Sequence, residues 1–324
     1  MEKYNVTAIG NAIVDVLAKC DDEFLGKKGI TKGAMNLVDE KRSNDLLNSI
    51  DQPQIISGGS AANTAVGLSM LGSKTNFIGK VKDDELGNLF INDIRNAGVS
   101  FKTNPTSSGP NTASSIIFTT PDAERSMNTY LGACVDLGPE DIDIDSIKNS
   151  EISYLEGYLF DPPKAKEAFY KVAEIAKSNK KLVALTLSDS FCVERHRNDF
   201  MSFIKENVDI LFCNEDEAKS LFECNTDEAK RHFEELKLEV AITLGSKGST
   251  ILRNGRWYNI EPKVLGKVED TNGAGDLFAS GYLHGRTSGK PPELCGEYAS
   301  IVSGEIISHI GARPQKDLKK LIVT

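Results

Sequence analysis

The sequence predicts an α/β protein: a mostly parallel central sheet flanked by helices, with a small β-sheet lid. Three observations predict it. From residue 150 onward, short β-branched runs alternate with amphipathic helical runs, the signature of βαβ units. Hairpin-like material is confined to the first 132 residues, as if inserted into that pattern. The chain has 324 residues, 40% of them apolar and 26% charged, which suits one domain over 1–324 with a substantial core. The lid segments are placed at about 12–38 and 110–132.

The elements follow in order. YNVTAIG (4–10) is a first strand. IVDVL (13–17) and GAMNLV (33–38) are further strands, separated by the charged stretch DDEFLGKKG. SAANTAVGLSML (60–71) is a helix of small residues, with Ser60 as its N-cap. TNFIGKV (75–81) is a strand, and DELGNLFINDIRNAG (84–98) is an amphipathic helix closed by Gly98. Residues 112–119 and 125–130 form a hairpin around PDAE. Then EISYLEG, KLVALTL, VDILFCN and LEVAITLG are strands. PKAKEAFYKVAEIAKS and residues near 193–206, 215–223 and 226–237 are the intervening helices. Helices near 274–287 and 293–309 close the chain.

Composition excludes several classes of function. A net charge of −9 without any basic run repels a nucleic acid. No stretch approaches the ~18 apolar residues of a membrane span. The first residues read as a strand rather than a signal peptide, so a cytoplasmic protein is expected. Cys20, Cys134, Cys192, Cys213, Cys224 and Cys295 are scattered without C-x-x-C pairs and read as free thiols. The expected partner is a small molecule, with the chain a monomer or homodimer.

Five motifs carry chemistry. In EDTNGAGDLFASG (269–281), Gly273, Ala274 and Gly275 gather backbone N–H groups at a helix start, where unpaired donors and the dipole suit an anion. Asp276 has the wrong charge to hold phosphate. It suits a base facing a hydroxyl that attacks that phosphate. In TLGSKG (243–248), Thr243, Gly245 and Gly248 form a turn after a strand, either a ligand turn or a plain hairpin. In NEDE (214–217), Asn214 and Glu217 share one face of a helix start. They are either an N-cap with its first-turn acid or a holder of hydrated Mg²⁺. In SGGSAANTA (57–65), two glycines permit close approach or a hinge, and Asn63 is either a ligand contact or a satisfied buried amide. In GNAIVD (10–15), Asp15 on an apolar strand demands a polar partner.

The ordered set G-N-x-x-x-D, G-G-S-x-x-N, N-x-x-E, T-x-G-x-x-G and D-T-x-G-A-G-D resembles the ribokinase-like (phosphofructokinase-B) family of carbohydrate and nucleoside kinases, over residues 5 to about 313. The resemblance implies ATP as phosphoryl donor and Mg²⁺ as cofactor. It implies that Asp276 is the catalytic base and that Gly273, Ala274 and Gly275 form the anion hole. Asn11, Asp15, Gly59 and Asn63 would hold the acceptor. Asn214, Thr243, Gly245, Ser246 and Gly248 would hold the nucleotide, with Glu217 on the metal through water. Gly58 and Gly59 would be the lid hinge, and Arg125 a lid arginine reaching the phosphates. One departure is Lys82 in GKVKDDELG, where many sugar-kinase members carry Gly.

ERSMNTYLGA, NTASSIIF and DTNGAGD are most similar to the adenosine kinase branch. A nucleoside needs an apolar slot for its base, and Ile13, Met35, Met127, Tyr158 and Phe160 are the candidates. Adenosine is therefore the first expectation for the acceptor, with a sugar such as ribose or fructose the alternative. A non-catalytic ligand-binding protein on the same fold is the reading from another class.

Overall fold

The computed structural model describes residues 2–122 and 124–323. In chain order the chain forms β1 (Tyr4–Ile9), β2 (Ile13–Lys19), α1 (Asp22–Lys28), β3 (Met35–Leu37), α2 (Glu40–Leu47), β4 (Gln54–Gly58), α3 (Ser60–Met70), β5 (Thr75–Ile78), α4 (Glu85–Asn96) and β6 (Ser100–Phe101). The hairpin β7 (Ala113–Thr119) and β8 (Arg125–Tyr130) follows, then the short α5 (Ile144–Lys148). The alternating part comprises β9 (Ser150–Glu156), α6 (Pro163–Ser178), β10 (Leu182–Thr186), α7 (Ser190–Asn207), β11 (Ile210–Asn214), α8 (Glu215–Phe222), α9 (Thr226–Leu236) and β12 (Glu239–Thr243). The chain ends with β13 (Ser249–Arg253), β14 (Arg256–Ile260), α10 (Ala274–Thr287), α11 (Pro292–Ile306) and α12 (Leu318–Val323).

Among the described residues, nine strands form the main sheet in the order β14-β13-β12-β11-β10-β9-β1-β5-β6. Pairing is parallel from β6 through β12, and only β13 and β14 are antiparallel. Successive residues serve opposite faces, as the two-residue period of a strand requires. Tyr154 and Phe212 join one core with Tyr282 of α10, while Leu155, Leu185 and Leu211 join the other with Phe169 of α6 and Phe203 of α7. Covered on both sides, these strands read as nearly continuous apolar runs.

The second sheet has the order β3-β8-β7-β2-β4. Its outer face is buried: Val14, Val16, Ile116 and Phe118 pack with Leu25 of α1 and Leu46 of α2. Its inner face carries Ile56, Asp15 and Ser115 side by side in register, with Leu17 and Ile117 in the next row.

Several expectations need correction. The stretch DDEFLGKKG contains α1, capped by Asp21 and ended by Gly29 at φ 61°. α2 was not expected. β4 lies in the second sheet although it falls outside both expected lid segments. The antiparallel pair β13–β14 was not expected, although Asn254 and Gly255, at φ 53° and 73°, form the Asn-Gly turn that marks a hairpin between two β-rich runs. Ser60 is not the N-cap of α3; Gly59 is, at φ 100°. A Cβ at Gly59 would lie 2.1 Å from the Asn11 carbonyl oxygen, so the chain needs glycine there. No helix among the described residues is long and apolar enough to cross a membrane.

Candidate active site

A cavity of about 360 Å³ lies between the inner face of the second sheet and the start of α10. It opens at the carboxyl ends of β9 to β11, where open parallel sheets receive ligands. Asp276 stands in the first turn of α10. Its Oδ1 accepts from the Ser60 hydroxyl at 2.6 Å and its Oδ2 from Asn63 Nδ2 at 3.0 Å. The Thr64 hydroxyl donates to the Asp276 carbonyl at 3.1 Å. The small residues of α3 bring that helix close enough for three of its side chains to fix one residue of α10. Burial raises the Asp276 pKa, opposed by the two hydrogen bonds and by the Arg313 guanidinium.

Gly273 caps α10 at φ 75°. The Ala274 N–H closes the turn onto the Thr271 carbonyl at 3.2 Å, and helical bonding resumes with the Leu277 N–H on the Gly273 carbonyl at 2.9 Å. The N–H groups of Gly275 and Asp276 thus fall at helix positions without an intrahelical acceptor. Gly273, Ala274 and Gly275 all line the cavity.

Asp15 faces these groups from β2. Burial pushes its carboxyl up to about 6, against the pull of Arg313 and Arg125. Its oxygens rest against Gly58, where a Cβ would lie 2.4 Å from Oδ2. Asn63 Oδ1 is buried and has no partner, so one acceptor atom beside Asp276 awaits a donor.

Arg125 lines the cavity and is ion-paired to Asp270, both side chains being nearly buried. Asp270 also accepts from the N–H groups of Asn272 and Gly311. Asn214 and Glu217 line the cavity too, and they form a reciprocal cap. Glu217 accepts from the Asn214 N–H at 3.0 Å and from its Nδ2 at 2.7 Å, and the Glu217 N–H donates back to Oδ1 at 2.8 Å. Burial pushes Glu217 up to about 7, and Asp189 and Asp216 add to the effect.

Other expected residues are not brought into this cavity. Asn11 donates through Nδ2 and N to Glu156 at 2.7 and 3.3 Å, so its side chain is spent on a buried acid. Thr243, Gly245, Ser246 and Gly248 lie beyond the cavity wall. Their segment is the turn that joins antiparallel β12 and β13, the plain hairpin reading. Thr243 is nevertheless in register with Asn214 on the adjacent parallel strand. Phe160 is core: it is fully buried and stacks on Phe200 with centroids 3.9 Å apart. Tyr158 and Met127 do line the cavity, whereas Ile13 and the exposed Met35 do not. Lys82 donates to Asn111 at 2.8 Å, away from the cavity wall.

Sequence reasoning missed Asp270, Glu156, Arg313 and the role of Ser60 as a partner of Asp276. Glu156 is fully buried, is pushed up to about 7 by burial, and accepts from the Ala61 N–H at 2.8 Å. An acid in an apolar strand was the available signal, the same one that singled out Asp15. Apolar surface on the cavity wall near Asp15 comes from Leu17, Ile56 and Ile117, whose alternation along the inner face was legible but unassigned.

A mostly parallel sheet, with a smaller sheet facing its carboxyl edge across a carboxylate-lined cavity, is the ribokinase-like architecture. The profile of the pfkB family carbohydrate kinases matches residues 27–318. The solved adenosine kinase from Sinorhizobium meliloti superposes with a TM-score of 0.90 at 46% identity, covering 98% of each chain. An uncharacterized sugar kinase of Archaeoglobus fulgidus is 31% identical over 254 residues, 76% of this chain and 97% of that one. A 5-dehydro-2-deoxygluconokinase of Clostridium perfringens is 29% identical over 246 residues, 72% of each. The chain belongs to the pfkB family of carbohydrate and nucleoside kinases, and is thus an enzyme that transfers a phosphoryl group.

Proposed function

We propose that this kinase phosphorylates the 5′-hydroxyl of a ribose-type acceptor, with adenosine the preferred substrate and ATP the donor. The observation that carries the reading is the placement of Asp15 and Asp276 in one cavity with the open start of α10. Asp15 accepts hydrogen bonds from two vicinal hydroxyls, and Asn63 Oδ1 accepts another. The remaining hydroxyl meets Asp276, which takes its proton as the oxygen attacks phosphorus. The N–H groups at the α10 start hold the transferring phosphoryl oxygens, and Arg125 adds charge there on leaving Asp270. Asn214, in register with Thr243, marks the donor's path toward the β12–β13 turn.

The Glu217 site fits a hydrated dication. The carboxylate is buried with no cation bonded to it, and its neighbours Asp189 and Asp216 are acids. No cluster of three or more potential ligands exists among the described residues, so an ion here would be held largely through water. Bound Mg²⁺ supplies neutralisation of phosphate charge.

With Phe160 in the core, the base rests on Tyr158, Met127 and the lid residues Leu17, Ile56 and Ile117. A free-sugar acceptor is the second reading, favoured by the 5-dehydro-2-deoxygluconokinase likeness. ADP release measured with adenosine, ribose and fructose separates them. Adenosine should lead in kcat/KM by at least ~10²-fold, the worth of about 3 kcal/mol of buried base. A better rate with a free sugar would assign the apolar residues to lid packing. Asp15→Ala should hurt every acceptor alike.

A further inference from the structure

The loop after α11 carries a buried guanidinium to which phosphotransfer as described gives no part. Arg313 Nη2 donates to the Ser57 carbonyl and, at 2.6 Å, to the Ser57 hydroxyl. That hydroxyl donates to Asp93 Oδ2 at 2.5 Å, and the Ser57 N–H reaches the same oxygen at 2.9 Å. Ser57 stands in β4 directly before Gly58, the residue against which the Asp15 carboxylate rests. Arg313 Nη1 is buried and unpartnered, so the side chain is held for its position and charge rather than for saturated hydrogen bonding.

The same loop touches the far end of the cavity. The Gly311 N–H donates to Asp270 Oδ2 at 3.0 Å, on the carboxylate that pairs with Arg125. Ala312 packs on the cap of α10: a Cβ at Gly273 would lie 2.9 Å from its own Cβ. Three consecutive residues therefore address Asp270, the helix cap and the strand behind Asp15.

The charged groups around Arg313 come from several elements. Asp15 lies on β2, Asp93 on α4 and Asp276 on α10, and each acts on the guanidinium. Arg125 on β8 is the other cation acting on Asp15, and Glu156 on β9 is a further acid close to Asp276. Two buried carboxylates in one cavity repel each other and resist ionising together. A cation acting on both eases that conflict.

We propose that Arg313 is a positioning residue for phosphotransfer: it ties lid strand β4 to the α10 start and supplies the positive charge shared by Asp15 and Asp276. The proposal rests on the kinase reading above. Asp276 works as a base only when ionised, so losing the shared charge should demand a higher pH for activity. Lysine keeps the charge, but its shorter side chain ends in a compact ammonium that does not reproduce the reach of Arg313 Nη2 to the Ser57 carbonyl and hydroxyl.

The test compares the full chain with Arg313→Gln and Arg313→Lys, following kcat and KM for acceptor and ATP across about pH 5 to 9. Arg313→Gln should lower acceptor kcat/KM by ~10-fold or more near neutral pH and move the acidic limb up by about one unit. KM for ATP should stay within about twofold. Arg313→Lys should leave the limb in place while raising KM for the acceptor. An unmoved limb in folded Arg313→Gln, or equal limbs in the two variants, overturns the proposal. If the glutamine variant does not fold, the lysine variant decides: a limb in place with raised acceptor KM supports it, and a moved limb or unchanged KM defeats it. Wild-type protein without phosphotransfer would defeat the kinase reading itself, a distinct result.

Discussion

The turn Gly273–Asp276 and the turn Thr243–Gly248 both carry two glycines, and both place glycine at positive φ: 75° at Gly273, 59° at Gly245 and 88° at Gly248. Each turn pairs a crowded glycine with an open one: a Cβ at Gly273 would lie 2.9 Å from the Ala312 Cβ, and one at Gly245 would meet nothing within 4 Å. A Cβ at Gly275 would meet nothing within 4 Å, whereas one at Gly248 would lie 2.1 Å from the Ile260 carbonyl oxygen and 3.0 Å from the Pro262 nitrogen. In the first turn Gly275 keeps space in front of helix-start N–H groups. In the second Gly248 lets a hairpin pack under a neighbouring strand. The spacing of glycines is the same kind of signal in both, and only the neighbours tell which glycine keeps open space and which lets the backbone pack.

If chemistry belongs to the first turn, the largest loss should come from Asp276→Asn. It removes the proton acceptor while keeping the shape of the Ser60 and Asn63 contacts. We expect kcat to fall by ~10²-fold or more with ATP affinity nearly intact. The raised proton affinity of Asp276 also means that wild-type activity falls away as pH drops and the carboxylate is protonated. Near-normal turnover in the variant would remove the base from the mechanism.

The glycines themselves can be set against each other. Gly248→Ala should destabilise folding by at least about 1–3 kcal/mol, the cost of forcing a side chain into such a conformation, before the carbonyl overlap is counted. Gly275→Ala should unfold like wild type yet lose ~10-fold in kcat/KM, because its methyl would occupy space needed by the phosphoryl group. Denaturant unfolding and steady-state kinetics on both variants check this. Loss of activity without loss of stability at Gly248 would make that glycine a contact of the donor rather than a packing residue.

The contrast also marks what the sequence could and could not tell. The parallel body was legible because β9 to β12 are continuous apolar runs separated by amphipathic helices. Asp15, Asn63 and Asp276 were legible because polar groups stood where apolar or small ones were expected. Phe160 was misplaced because an aromatic one turn after a strand looks the same whether it faces a cavity or the Phe200 ring. Asn11 was misplaced because its partner Glu156 lies 145 residues away, and Arg313 was missed because its contact with Ser57 spans 256. Contacts of that range leave no local pattern.

Asn214 and Glu217 lie between the two turns, so they measure how far the phosphate path extends. Glu217 binds its proton more tightly in the folded chain, about 7 against an ordinary 4.5. A folded-state acid pKa above the unfolded one means stability is greatest at low pH and falls as pH climbs from about 4.5 through about 7. The full effect is on the order of 3 kcal/mol without metal. Glu217→Gln cannot titrate, so its unfolding free energy should lose that part of the decline between about pH 5 and 8. The comparison of slopes is unaffected by the capping bond that the amide gives up to Asn214. In kinetics, the Mg²⁺ concentration for half activity should rise several-fold, because a neutral amide holds a hydrated dication less well. In the wild type, Mg²⁺ should flatten the stability decline, since it supplies the charge that the buried carboxylate lacks. A variant with the wild-type slope and the wild-type Mg²⁺ requirement would make Glu217 a helix cap and confine the phosphate site to the start of α10.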